Sequence, residues 1–187
     1  MANFGEAIIQ GCKVLLNEHA FTVHSQNESL VEIKSERVVI SFSYDRRRAH
    51  ELNVYVELRS TEGTSAMQYT LGEVMREFNV PRAKERSYLQ SSSLETISEF
   101  VSDACKVLIQ NCKPILDGCV AAFESVKSRS SVESKQYTLE MGLRGMRKEV
   151  DEAWSTKDYA KYRSLLKGYE SVLSEVEKKK LEFAHRS

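Results

Sequence analysis

The chain has 187 residues, in which 27 Lys and Arg balance 27 Asp and Glu, and 41% of the residues are hydrophobic. A chain of this length can bury about 70% of the surface that it exposes when unfolded, so a core without disulfide or metal staples is expected. The net charge of zero supplies no overall basic field, and we therefore expect neither nucleic acid nor an anionic membrane as partner.

Neither an export signal nor a membrane span is predicted. Met1–Gly11 contains Glu6 but no Lys or Arg, whereas a secretory signal begins with positive charge. The chain has no run of about eighteen apolar residues, the length that a membrane helix needs. The four cysteines are too few and too irregularly placed for a secreted disulfide scaffold. We therefore expect a cytoplasmic protein with reduced thiols.

The first part of the chain predicts one helix followed by an antiparallel sheet. Asn3 and Glu6 have the spacing of a capping box, and apolar residues then repeat at helical intervals, which predicts a helix over about 4–18. The apolar period next changes to two, as in strands covered on one face. The alternating residues are Phe21 and Val23; Val31 and Ile33; Val38, Ile40, Phe42 and Tyr44; and Leu52, Val54, Val56 and Leu58. Because the connections are short, we predict an antiparallel four-stranded meander.

The rest of the chain is predicted to be helical, beginning after Thr61–Ser65, where the meander ends. Five capping pairs mark helix starts. They are Thr70 with Glu73, Ser92 with Glu95, Ser130 with Glu133, Ser155 with Asp158, and Ser174 with Glu177. Pro81 stops the first of these helices, and Pro114 ends or kinks the second, which resumes through Phe123.

The Ser-rich segment Lys127–Ser131 is the predicted linker between two domains. Residues 1–127 then form an α+β domain, and residues 131–187 form a helical tail that we expect to dock on it. Helix, tight turn and helix at this length predict a hairpin like those of tetratricopeptide repeats. No second copy follows at a spacing of about 34 residues, so a solenoid is not supported.

Cys105, Cys112 and Cys119 are seven residues apart, a spacing that argues against a metal site. On one continuous helix, seven residues rise about 10 Å. Thiolates that share a zinc ion each lie about 2.3 Å from it, so these three cannot close a site, and the same separation excludes a disulfide. We therefore predict that they are small buried residues along a core stripe, and that Cys12 is buried in the first helix.

The densest polar cluster lies between two predicted strands, and it is the predicted partner-binding patch. Three guanidinium groups on a turn can bind a phosphate or the carboxylates of a partner through paired hydrogen bonds. An aromatic residue on the polar face of the following strand can anchor a partner. The patch comprises Asp45, Arg46, Arg47, Arg48, His50, Glu51 and Tyr55. The alternative is a solvated hairpin tip, neutralised in part by its two acids, with the tyrosine packed under a helix.

A metal-dependent hydrolase or nuclease is a second possible reading of the same region. The alternation Glu32-Ile-Lys34 occurs in nucleases that place a metal ligand and a lysine on one strand face. Asp45, His50 and Glu51 are the other candidate groups. The scattered histidines have no metal-binding spacing, and the chain has neither a glycine-rich phosphate loop nor a Gly-x-Ser-x-Gly elbow. We assign no catalytic residue, metal or cofactor, and interpret Glu32 and Lys34 as a solvated strand face.

Several segments resemble a group of small bacterial proteins that includes immunity proteins encoded beside polymorphic toxins. They are Leu30–Ile33, Val38–Arg48, Glu51–Leu58, Tyr69–Val74, Asp158–Tyr162 and Leu173–Ala184. The resemblance implies an amphipathic first helix, a meander and a closing helical hairpin, and it implies binding and inhibition of a toxin.

Three hypotheses about function follow from the sequence. The first is a non-catalytic binding protein, including the case of an immunity protein that neutralises a toxin by occlusion, because the helix caps are complete and no reactive groups converge. The second is a helical adaptor that dimerises through the tail beyond Ser131. The third is the enzyme described above.

Overall fold

The computed structural model describes residues 3–60 and 65–186. The predicted α+β class is confirmed. The helices are α1 (Phe4–Gly11), α2 (Lys13–Glu18), α3 (Leu71–Glu77), α4 (Leu94–Asn111), α5 (Lys113–Leu116), α6 (Val120–Ser155), α7 (Tyr159–Leu166) and α8 (Glu175–Arg186). The strands are β1 (Thr22–Gln26), β2 (Leu30–Lys34), β3 (Val38–Asp45), β4 (Glu51–Leu58), β5 (Met67–Thr70) and β6 (Tyr88–Gln90). The chain divides into two compact units, Met1–Ser128 and Arg129–Ser187.

The sheet of the first unit contains the predicted meander. Strands β1 to β4 lie in chain order, and every neighbouring pair is antiparallel. Both β5 and β6 pair with the outer edge of β4. These two strands were not predicted, because four and three residues are too few to display a period of two. The predicted end of the meander at Thr61–Ser65 falls largely on residues 61–64, outside the described residues.

The core of the first unit lies between one face of the sheet and the helices α1, α3 and α4. Alternate residues of β4, from Leu52 to Leu58, are buried, whereas Glu51, Asn53, Tyr55 and Glu57 are half-exposed. Helix α1 packs against α4. Gly11 permits this approach, because a Cβ atom there would lie 2.7 Å from Val101 Cβ.

The first helix is not continuous as predicted. Cys12 interrupts it with φ −83° and ψ 2°, so that α1 ends at Gly11 and α2 starts at Lys13. Glycine is a poor helix former, and here it also lies against α4, which explains why the interruption follows it. The capping box at Asn3 and Glu6 is confirmed.

The start of α4 and the break after it differ from the prediction. Ser93, rather than Ser92, caps α4, and its side chain accepts a hydrogen bond from the N–H of Thr96. Pro114 lies in the short helix α5 after the break at Cys112, and Gly118 makes the following turn with φ +66°.

The division into two units falls inside the predicted linker, between Ser128 and Arg129. The segment is not a loop, however, because α6 runs unbroken from Val120 to Ser155. No glycine or proline occurs in α6 before Gly142, so nothing in this stretch breaks the helix. Arg129 and Glu133 also form an ion pair one turn apart, at 3.0 Å. The serines of the predicted linker, among them Ser130, which was predicted to cap a helix, therefore lie inside α6.

The second unit has a small core of its own. Its buried residues are Leu143, Val150, Ala153, Tyr162, Leu166, Leu173 and Ala184. Helices α7 and α8 pack against each other. The ring of Trp154 contacts those of Tyr159, Tyr162 and Phe183.

Of the caps predicted for the two closing helices, one differs in the structure and one is confirmed. Asp158, not Ser155, caps α7, since its carboxylate accepts from the N–H of Lys161 at 3.0 Å. The capping box of Ser174 and Glu177 is confirmed by reciprocal hydrogen bonds of 2.8 and 3.3 Å. Over residues 3–60 and 65–186, no helix is both long and apolar enough to cross a bilayer.

Candidate functional site

The turn between β3 and β4 presents the three arginines on an ordered backbone. One carboxylate oxygen of Asp45 accepts hydrogen bonds from the N–H groups of Arg47 and Arg48, each at 3.1 Å. This side-chain cap takes the place of a strand partner for the two amides. Arg46, Arg47 and Arg48 are exposed, and no other residue of the described chain forms a side-chain hydrogen bond or ion pair with their guanidinium groups.

A second set of hydrogen bonds ties this turn to the segment before α4. The hydroxyl of Tyr44 donates to the Ser91 carbonyl at 3.0 Å and lies 3.2 Å from His50 Nδ1. The Ser91 N–H donates to the His50 carbonyl at 2.9 Å, and the Gln90 side chain donates to the Ala49 carbonyl at 3.0 Å. His50 has a left-handed φ of 49°, which these bonds hold in place. The turn is therefore fixed at both ends.

An open groove of about 680 Å³ lies beside the turn, and we call it the end groove. Phe4, Tyr44 and Leu94 supply its apolar lining, and the Phe4 and Tyr44 rings stack with centroids 5.2 Å apart. Its exposed rim includes Asn27, Glu28 and Arg46. An adjoining depression of about 570 Å³ shares Glu28, Tyr44 and Arg46 with the end groove and continues to Arg47.

The structure brings together only part of the predicted patch. Asp45, Arg46 and Arg47 line the depressions, whereas Arg48 is on the turn outside them. His50 lines neither depression, and its Nδ1 lies 3.2 Å from the hydroxyl of Tyr44, which lines both.

Two members of the predicted patch belong to the half-exposed face of the sheet. The carboxylate of Glu51 accepts from the Asn53 side chain at 2.9 Å. Tyr55 is four residues along β4 from Glu51 and is paired with Ser41 and Thr70. Tyr55 is therefore not part of the end groove.

The groups considered for an enzyme are distributed along the sheet. Glu32 accepts hydrogen bonds from the hydroxyls of Ser25 at 2.8 Å and Ser41 at 3.2 Å. Lys34 pairs with Thr22 and Val39, farther along the strand. Among residues 3–60 and 65–186, no group of three or more His, Cys, Asp or Glu side chains could hold a metal ion.

The cysteines are arranged differently from the predicted stripe. Cys12, Cys105 and Cys112 are buried, but Cys119 is exposed. The helix ends at Cys112 and the chain turns at Gly118, so residues seven apart do not lie on one face of a single helix.

Two of the buried thiols meet across the helix interface. The sulfurs of Cys12 and Cys105 are 3.9 Å apart, a contact between residues far apart in the chain. A hydrogen bond with Cys105 and burial raise the pKa of Cys12 well above its usual range, and burial raises the pKa of Cys112 to about 12. Cys12 and Cys112 are therefore protonated at neutral pH, as expected of core residues.

Sequence reasoning did not find the walls of the end groove. Phe4 begins α1, Asn27 and Glu28 form the β1–β2 turn, and Leu94 begins α4. Each reads locally as a helix start or a turn, and no local pattern indicates that the three meet. Neither a protein-family model, nor a curated protein, nor a solved structure matches this chain.

Proposed function

We propose that this chain is a non-catalytic binding protein that recognises another protein through the end groove and the arginines beside it. One observation carries the proposal: three exposed guanidinium groups, which have no side-chain partner among residues 3–60 and 65–186, stand on a hydrogen-bonded turn next to a groove with an apolar lining.

This combination is typical of interaction surfaces. Arginine and aromatic residues are enriched where proteins bind one another, because they join apolar area to directional hydrogen bonds. A turn that is already ordered loses little conformational entropy when a partner binds. The bonds from Asp45, and those between Ser91 and His50, provide that order.

Within this class, we propose a bacterial toxin as the partner and occlusion of the toxin as the mechanism. The resemblance of the strands, of Tyr69–Val74 and of the closing helices to immunity proteins supports this narrower proposal. We further propose that the protein acts in the cytoplasm, which its free cysteines favour.

Partner capture tests the broad proposal. The full chain, an Arg46→Glu/Arg47→Glu variant and a matched Arg144→Glu/Arg186→Glu variant are immobilised and exposed to a lysate of the source organism. Arg144 and Arg186 are exposed arginines of the second unit, so the control makes the same change in charge elsewhere. We expect one protein, in near-stoichiometric amount, on the wild type and the control, and its loss from the turn variant. Equal capture by all three chains, or capture by none, contradicts the proposal.

Co-expression of the chain with the captured protein tests the narrower proposal, that the partner is a toxin. If the captured protein is a toxin, the wild-type chain should restore the growth that the toxin arrests, whereas the turn variant should not. A captured protein that causes no growth arrest would remove the toxin from the proposal and leave the binding surface in place.

A further inference from the structure

We infer that the end groove binds an extended, acidic segment of the partner chain, with carboxylates at Arg46 and Arg47 and an apolar side chain against Phe4, Tyr44 and Leu94. This inference rests on the proposed function and specifies what the surface recognises.

The shape of the site favours an extended ligand. The end groove and the adjoining depression share Glu28, Tyr44 and Arg46, so the two adjoin. We call them together the channel, which is lined by Leu94 in the end groove and by Arg47 in the depression. The rim residues are exposed while Phe4 and Tyr44 are buried, which makes it a trough open to solvent. A linear peptide fills such a trough, whereas a compact small molecule fits an enclosed cavity better.

The charges of the channel favour an acidic ligand at one end. Arg46 and Arg47 line it, and their guanidinium groups have no side-chain partner among the described residues. A planar guanidinium binds a carboxylate through two hydrogen bonds. One oxygen of the Asp45 carboxylate accepts from the turn amides of Arg47 and Arg48, which holds this acid against the backbone of the turn. Glu28, also without a side-chain partner in the described chain, disfavours a carboxylate next to it. The ligand should therefore carry its acids toward the arginines.

Carboxamides on the rim favour a peptide over a simple anion. The side-chain oxygen Oδ1 of Asn27 accepts from the N–H groups of Ser29 and Leu30, at 2.9 and 2.8 Å, which leaves the side-chain nitrogen Nδ2 of Asn27 to donate. The Gln26 side chain lies across Gly5, so close that a Cβ atom at this position would overlap its amide group. Carboxamides both donate and accept, and so match the alternating C=O and N–H groups of an extended backbone.

Selection from a library of random linear peptides displayed on phage tests the inference. The full chain is the target, and the affinities of the selected peptides are measured by fluorescence anisotropy. We expect enrichment of peptides that combine Asp or Glu with a large apolar residue. Arg46→Gln/Arg47→Gln should weaken their binding about tenfold or more, the size expected for loss of charged hydrogen bonds.

Two further variants serve as controls for charge and position. Arg144→Gln/Arg186→Gln removes the same charge from the second unit and should leave the affinity unchanged. Glu28→Gln should tighten binding, because it removes the one carboxylate without a partner among the described lining of the channel. Circular dichroism confirms that each variant is folded.

Three results would overturn the inference. The first is selection of peptides without acids. The second is equal binding to the wild type and the Arg46→Gln/Arg47→Gln variant. The third is displacement of the peptides by inorganic phosphate at constant ionic strength, which would indicate a general anion site. If partner capture nevertheless still depends on Arg46 and Arg47, the partner docks a folded surface, and the proposed function stands without this inference.

Discussion

The two units of the chain reach stability by different routes. In the first, a sheet and several helices enclose a large apolar core, with Ile40, Phe42 and Val56 in central strands. In the second, three helical segments enclose a few residues around Tyr162 and Leu166. No residue from 127 to 142 belongs to either buried cluster. The comparison indicates that a continuous helix does not imply a continuous core.

The difference also bears on function. The end groove belongs to the first unit, where strands and helices from distant parts of the chain fix its walls. The smaller core of the second unit contributes less free energy of folding, because buried apolar area is the main source of that free energy. We therefore expect the second unit to unfold under milder conditions than the first.

The largest expected effects come from truncating one side chain in each core. Phe42→Ala should lower the unfolding free energy of the first unit by about 3–5 kcal/mol, and Leu166→Ala should lower that of the second by about 2–5 kcal/mol. Urea unfolding followed by hydrogen exchange assigns each loss to a unit. Tyr137→Ala is the control, since this side chain is 64% exposed and its loss should change stability by less than about 0.5 kcal/mol. Equal loss of protection in both units after Leu166→Ala would show that the two cores unfold together.

Thiol labelling sharpens the comparison, because all four cysteines belong to the first unit. In the folded protein, we expect only Cys119 to react quickly with a disulfide reagent. A pKa of about 12 for Cys112, against the usual 9.0, lowers its thiolate fraction about a thousandfold, and burial excludes the reagent as well.

Variants complete the labelling experiment. Cys119→Ser should remove the fast reaction. Phe42→Ala should accelerate labelling of the buried thiols, and Leu166→Ala should not. More than one fast thiol in the wild type would mean that the core of the first unit opens readily.

The smallest expected effect is a pH dependence confined to the second unit. Burial opposes the charged form of Glu177, but hydrogen bonds from Ser174 and the nearby Arg147 and Lys180 outweigh it, so the pKa of Glu177 lies below its usual 4.5. The stabilisation is therefore present above pH 4.5 and is lost as the pH falls through the folded-state pKa.

Hydrogen exchange of α8 measures this loss across the acid range. Glu177→Gln should flatten the dependence, whereas Glu182→Gln, an exposed position on the same helix, should not. Identical profiles for the wild type and Glu177→Gln would show that the carboxylate does not contribute.

Short-range features could be predicted from the sequence. The capping boxes at Asn3, Thr70 and Ser174 each depend on two residues three positions apart, and the structure contains all three. The alternation in Val38–Tyr44 likewise specified a strand whose apolar face is buried. Such patterns can be recognised in the sequence because the interacting groups are neighbours in the chain.

The errors arose where a local signal competed with longer-range packing. Ser128–Ser131 has the composition of a linker but lies inside α6, since serine is tolerated in a helix that nothing breaks. Cys119 shares a spacing with Cys105 and Cys112 but is exposed, because the chain turns before it. The end groove could not be predicted for a related reason, since Phe4, Glu28 and Leu94 meet only when the sheet and helices assemble.

The sequence by itself therefore determined the class of fold, the order of the four meander strands and the position of the arginines on a turn, because periodicity, caps and short connections act between near neighbours. Only the tertiary structure decided that this turn borders a channel and that Tyr55 lies apart from it. It also decided that Cys12 touches Cys105 and that two cores form along one chain. Those outcomes depend on which distant surfaces exclude water together, and no spacing of residues encodes that directly.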